Sequence, residues 1–155
     1  MIEERIRGLL AGELPPDVYR LNSRIAGRAL AKAARADGWC FYTVDLRNAR
    51  NKASFMSAAA EALHLPGYFG HNWDAFEEVM NDFPRLAAAG PDAHPRGHLI
   101  LIDRSSPLRY AAPDELRTAL DILRTAVENL RGESVPLAVL VRGAGPRARE
   151  LPLLG

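Results

Sequence analysis

The apolar positions of this chain change their period several times. Trp39 to Leu46 is dense in aromatic and β-branched residues and predicts a strand covered on both faces. His98 to Asp103 encloses four consecutive apolar residues and predicts a second buried strand. A third follows Pro136, whose place at the first strand position costs no ladder bond. Between these runs the apolar spacing shifts to three and four residues. Phe55, Ala59, Ala62 and Leu63, behind the cap-forming Asn51, predict a helix over about 52–64 that Pro66-Gly67 ends. Trp73, Phe76, Val79, Met80 and Phe83 form one stripe of a second helix capped by Asn72. Leu116, Leu120, Leu123, Val127 and Leu130 mark a third, opened by Pro113-Asp114-Glu115 and closed near Arg131-Gly132.

The first 38 residues repeat the alternation on a smaller scale. Ile2, Ile6, Leu9 and Leu10 predict a short helix ending near Gly12. Val18 to Leu21 predicts a short strand beyond Pro15-Pro16, and Arg24 to Ala36 predicts a helix stopped at Asp37-Gly38. Pro84 to Gly97 is expected as a surface loop, and residues 143–155 as a loose tail without period. Strands that alternate with helices need crossover connections. The expected fold is therefore α/β, a small, mostly parallel sheet with helices packed on it, in one domain over residues 1–155. Residues 1–38 would be an α-β-α extension adding a strand at the sheet edge.

Charge sharpens the picture at one place. The chain has 20 Lys+Arg against 19 Asp+Glu and a net charge of +1, so nothing global points to nucleic acid, and no RNP-type aromatic pattern occurs. Residues 68–83 nevertheless hold Asp74, Glu77, Glu78 and Asp82 with no Lys or Arg among them. Asp74, Glu78 and Asp82 recur at four-residue steps and share a helix face with Glu77 beside it. Acids on an amphipathic helix are ordinarily just its solvated side. Here no Lys or Arg lies three or four residues from Asp74 or Glu78 to offset their repulsion, which favours a surface kept acidic for a partner.

Other chemistry finds little support. There is no G-x-G-x-x-G or P-loop for phosphates and no G-x-S-x-G elbow. Cys40, the only cysteine, lies in an apolar run and is expected to be a buried structural thiol, so no disulfide framework exists. No cofactor is implied. His71, Asp74 and Glu78 could approach one helix face as a metal or acid–base site, the basis for a carboxylate-dependent hydrolase as the rival class. His71 precedes the cap and has no second histidine nearby, so no metal is assigned. The N-terminus carries acids and no stretch approaches eighteen apolar residues, which suggests a cytoplasmic protein without membrane attachment.

The stretch Leu65-Pro66-Gly67-Tyr68-Phe69-Gly70-His71-Asn72-Trp73-Asp74-Ala75-Phe76 resembles the signature of the barstar family of ribonuclease inhibitors. A helix ending in proline leads to an aromatic pair, glycine, any residue, asparagine, an apolar residue and Asp-Ala. The resemblance covers roughly residues 39–142 and implies a non-enzymatic immunity protein. Such a protein blocks a basic ribonuclease, or a similar toxin-type protein, by placing acids where RNA phosphates would lie. It implies partner-binding roles for Tyr68, Asn72, Asp74, Glu77 and Glu78. Three departures accompany it. Glu77 stands where an aromatic contact is typical, Glu78 replaces an aspartate, and Thr125 falls where a further acid is expected; a partner other than a ribonuclease is the alternative.

Overall fold

The structure is a computed structural model that describes residues 2–66, 69–87, 94–145, 148 and 150–154, without the side chains of Ile2 and Glu3. Four strands, β1 (Val18–Arg20), β2 (Cys40–Asp45), β3 (His98–Asp103) and β4 (Leu137–Val141), form a parallel sheet in the order β1-β4-β3-β2. The helices are α1 (Ile2–Leu10), α2 (Gly27–Ala36), α3 (Lys52–Ala62), α4 (Trp73–Asn81), α5 (Phe83–Leu86), α6 (Ser106–Ala111) and α7 (Pro113–Leu130). The expected α/β fold with a parallel sheet and an N-terminal α-β-α extension is the one formed. Two short helices, α5 and α6, were not anticipated.

Because side chains alternate along a strand, each central strand feeds two cores. On one face Ile100 and Ile102 of β3 join Val139 and Val141 of β4, covered by α3, α4 and α7 through Phe55, Phe76, Met80, Leu120 and Leu123. On the other face Leu99, Leu101 and Leu140 meet Leu9, Leu10, Leu30, Ala34 and Trp39. The extension thus does more than lengthen an edge. Beyond pairing β1 with β4, it supplies through α1 and α2 the cover for the second face. The chain first crosses from β1 to β2 through α2 on one face of the sheet, then walks from β2 through β3 to β4 with its helices on the other. Opposite directions on opposite faces are what a single crossover handedness requires.

Local chemistry sets the element ends. Asn51 and Ser54 form a reciprocal capping box at α3, with Ser54 N donating to Asn51 Oδ1 at 2.9 Å and Asn51 N to Ser54 Oγ at 3.1 Å. Gly38, at φ +84°, follows the end of α2 in the left-handed conformation that favours glycine. Gly97 admits the ring of Trp39, since a Cβ there would come within 2.5 Å of it.

Two expectations are corrected. β2, which its apolar run predicts to be covered on both faces, is an edge strand: Val44 is buried while Thr43 and Asp45 are exposed. Segment 143–155 is not the loose tail its lack of period suggests: Ala144, Ala148, Leu151 and Leu154 are buried and Leu153 bridges in parallel to Arg20. Of the expected loop after Pro84, residues 88–93 lie outside the described residues, and Phe83–Leu86 is helical.

Candidate functional site: the acidic face of α4

α4 begins where the sequence places its cap. Asn72 is extended, and its Oδ1 accepts from Ala75 N at 2.8 Å while its Nδ2 lies 3.4 Å from Gly70 O. His71 before it is left-handed at φ 52°, and its ring tilts against Phe69 with centroids 5.0 Å apart. The chain therefore turns sharply just ahead of the helix. Phe76, Val79 and Met80 are buried, and this fixes the opposite side outward. Asp74, Glu77 and Glu78 are all exposed there.

Two polar contacts tie α4 to α7. Trp73 Nε1 donates to Glu115 Oε2 at 3.1 Å near the start of both helices. Near their ends Asn129 Nδ2 donates to Asn81 Oδ1 at 2.8 Å. The helices thus lie side by side and run the same way. Thr125, one turn before Asn129, is an exposed neutral residue of α7. None of these clamping contacts was anticipated. They join residues more than forty positions apart, and no local pattern announces them.

The four acids separate into two kinds. Arg85 Nε donates to both carboxylate oxygens of Asp82 at 2.9 Å, and this bonding holds the Asp82 carboxyl below its ordinary range. Asp82 is thereby neutralised within the chain, by a base that lies just beyond the acid-rich stretch. Among the described residues Asp74, Glu77 and Glu78 have no ion-pair or side-chain hydrogen-bond partner. Tyr68, the remaining expected contact, lies outside the described residues. Of the rival acid–base set, His71 stands off the helix while Asp74 and Glu78 sit on its exposed side. Among the described residues no group of three or more His, Cys, Asp and Glu is arranged to hold a metal ion.

α4 is thus a capped helix, backed by the core and tied to α7, whose exposed face is acidic. A family model described as "Barstar (barnase inhibitor)" matches residues 39–142. The chain belongs to this family. No curated protein matches it. Among solved structures it is similar to the Aeropyrum pernix ORC2 protein in ADPNP–ADP complexes, at 16% identity and a TM-score of 0.56. The ADP form of that protein gives 17% identity and a TM-score of 0.55. Both likenesses cover 96% of this chain and 41% of the other, and at such identity they show the fold alone. Among the described residues no helix is long and apolar enough to cross a membrane.

Proposed function

We propose that this protein is an inhibitor that binds a basic partner, a ribonuclease or a similar toxin-type protein, and blocks its active site with the loop and acidic face of α4. Asn72 sets the geometry of the loop. Asp74, Glu77 and Glu78 supply charged hydrogen bonds to Arg and Lys of the partner, with Tyr68 as a contact at the loop. The observation that carries this reading is the trio of exposed acids that have no ion-pair or side-chain hydrogen-bond partner among the described residues, on a helix whose other side is packed into the core. Such acids attract a basic surface at long range, and a rigid helix forfeits little conformational entropy when it docks. Family membership supports the same role, and the role fits a cytoplasmic immunity protein. Glu78 carries its charge one methylene further than the aspartate typical of the resemblance. The partner's basic cleft should then be correspondingly deeper or wider.

The test is a titration of the purified protein into a panel of basic ribonucleases while initial rates of RNA cleavage are followed. Stoichiometric inhibition of at least one member, relieved by Glu78→Gln, is the expected result. Tight binding to a basic protein without loss of ribonuclease activity would move the target to another partner class. No binding to any basic protein would overturn the proposal.

A further inference from the structure

At the opposite margin of the sheet from β2, the chain leaves β1 and β4 in different directions. Beyond β1 it enters α2, whose Leu30, Ala31 and Ala34 belong to the second core. Beyond β4 it enters a segment whose Ala144, Ala148 and Leu151 belong to the first. Two adjacent parallel strands whose continuations part to opposite faces leave a crevice at their carboxyl ends, the usual place for a ligand in a parallel α/β sheet. A cleft of about 360 Å³ lies there, lined by Arg20, Asn22, Arg109, Val141 and the loop Gly143-Ala144-Gly145. That volume falls in the range of small-molecule sites, roughly 300–1,000 Å³.

We infer that this cleft binds a phosphate-type oxyanion, free or as the phosphoryl group of a small metabolite, held by Arg20, Arg109 and the Gly143–Gly145 backbone. Arg109 is the first support. Its Nε is buried without a hydrogen-bond partner, and no ion pair to it occurs among the described residues. A buried guanidinium nitrogen left unbonded costs free energy until an acceptor reaches it. Its guanidinium carbon sits 4.4 Å from the centroid of the Tyr110 ring, and a Cβ at Gly145 would overlap the guanidinium itself. These contacts hold the arginine in place but give its Nε no hydrogen-bond acceptor.

The second support is the loop. Gly143 and Gly145 have φ of +82° and +78°, and the N–H groups of residues 143–145 donate to no acceptor among the described residues. Successive free N–H groups in a turn of this kind form an anion-binding concavity. Arg20 adds a second cation. Its Nε donates to Leu151 O at 3.0 Å, which anchors the side chain and leaves its terminal nitrogens for a ligand. The nearby acids do not fill the site. Asp103 is engaged by Arg142 at 3.0 and 3.1 Å, and Glu150, which lines the adjoining cavity together with Arg109 and Arg117, forms no ion pair with Arg109 among the described residues. This cleft shares no residue with the acidic face of α4 and stands independently of the inhibitor reading.

Calorimetric titration of the full chain with inorganic phosphate against chloride at equal ionic strength, and separately with ribose 5-phosphate, tests the assignment. Saturable one-site binding is expected, weakened at least tenfold by Arg109→Met and by Arg20→Met and unchanged by Arg35→Met on α2. Tighter binding of ribose 5-phosphate would identify a phosphorylated metabolite, and equal or tighter binding of phosphate the free anion. Amide NMR of the unaltered protein supplies a readout that needs no variant: phosphate should shift Gly143, Ala144 and Gly145. Absence of saturable binding by both probes would overturn the inference. So would undiminished affinity in a folded arginine variant, or phosphate shifts confined to other parts of the chain.

Discussion

Asp74 and Glu78 sit one turn apart on α4 as like charges, an arrangement that costs a helix roughly 0.2–0.5 kcal/mol. Asp74 is in the first turn, where a negative charge gains about 0.3–1 kcal/mol from the helix dipole, and Glu78 has less of that compensation. Glu78→Gln should therefore leave the free protein equally or slightly more stable, and Asp74→Asn should be near neutral. If these acids bind the partner, each change should weaken association by more than about 1 kcal/mol, since a buried basic group then loses a charged hydrogen bond. Thermal melts beside binding isotherms check both halves, and unchanged affinity in the two variants would return the acids to the status of a solvated face. His98 gives a second prediction. Its ring is 1% exposed, shares a 2.9 Å hydrogen bond with the Tyr42 hydroxyl, and is held below its ordinary pKa of 6.5 by burial. With a folded pKa below the unfolded one, only the unfolded chain takes up the proton as pH first falls below about 6.5. Stability should then hold above that pH and decline below it. Urea unfolding at pH 7.5 and 5.5 should show a larger loss for the native chain than for His98→Gln, with the exposed histidines common to both.

At the scale of elements, the ends carry more information than the interiors. Asn51 closes a capping box that satisfies amide donors at the start of α3, so Asn51→Ala should cost about 0.5–2 kcal/mol in chemical denaturation. Gly97 precedes β3 with the ring of Trp39 lying against it. Trp39 is in turn anchored by its Nε1 donating to Leu10 O at 2.9 Å. Gly97→Ala should cost roughly 1–3 kcal/mol by overpacking, measured the same way, and a neutral result would mean that the Trp39 ring can move aside. α5 and α6 escape a periodic reading because four and six residues span too little helix to show a stripe. Each also has a proline at its N-terminal turn, a residue read as a breaker when no stripe follows it.

The whole molecule joins an inhibitor-family region to a cover that the region does not itself contain. Leu99, Leu101 and Leu140 would meet water on the second face without α1 and α2. Leu30, fully buried on α2, is the direct probe: Leu30→Ala should cost about 2–5 kcal/mol of stability while partner affinity stays unchanged. Loss of affinity with stability intact would instead bring the extension into the interface. The charge distribution yields the remaining prediction. With net charge near zero, only the local acidic face can steer a basic partner, and salt screens such a face over about 8–10 Å. The association rate should fall as salt rises, measured by surface binding at low and high ionic strength. An unchanged rate would mean that the acids do not guide encounter.

Periodicity and capping are properties of neighbouring residues, which is why the sequence alone yields the order of the long elements, the cap at Asn72 and the outward acids of α4. Each follows from side chains within one or two turns of each other. Partnership across the sheet is different in kind. Nothing near Asp103 announces Arg142, and nothing near Trp73 announces Glu115; those pairs exist because folding brings distant backbone into register. The same holds for the edge position of β2, whose apolar run reads like that of a buried strand until the strand order places nothing beyond it. Segment 143–155 looked unstructured for want of a period, yet buried Ala148, Leu151 and Leu154 need only single apolar side chains at the right places. A groove already shaped by the sheet can hold such residues without any repeat. The cleft beside Arg20 and Arg109 is of this second kind as well. Its arginines are 89 positions apart and belong to no motif, and they face one crevice because two strands that pair in the sheet part at their ends.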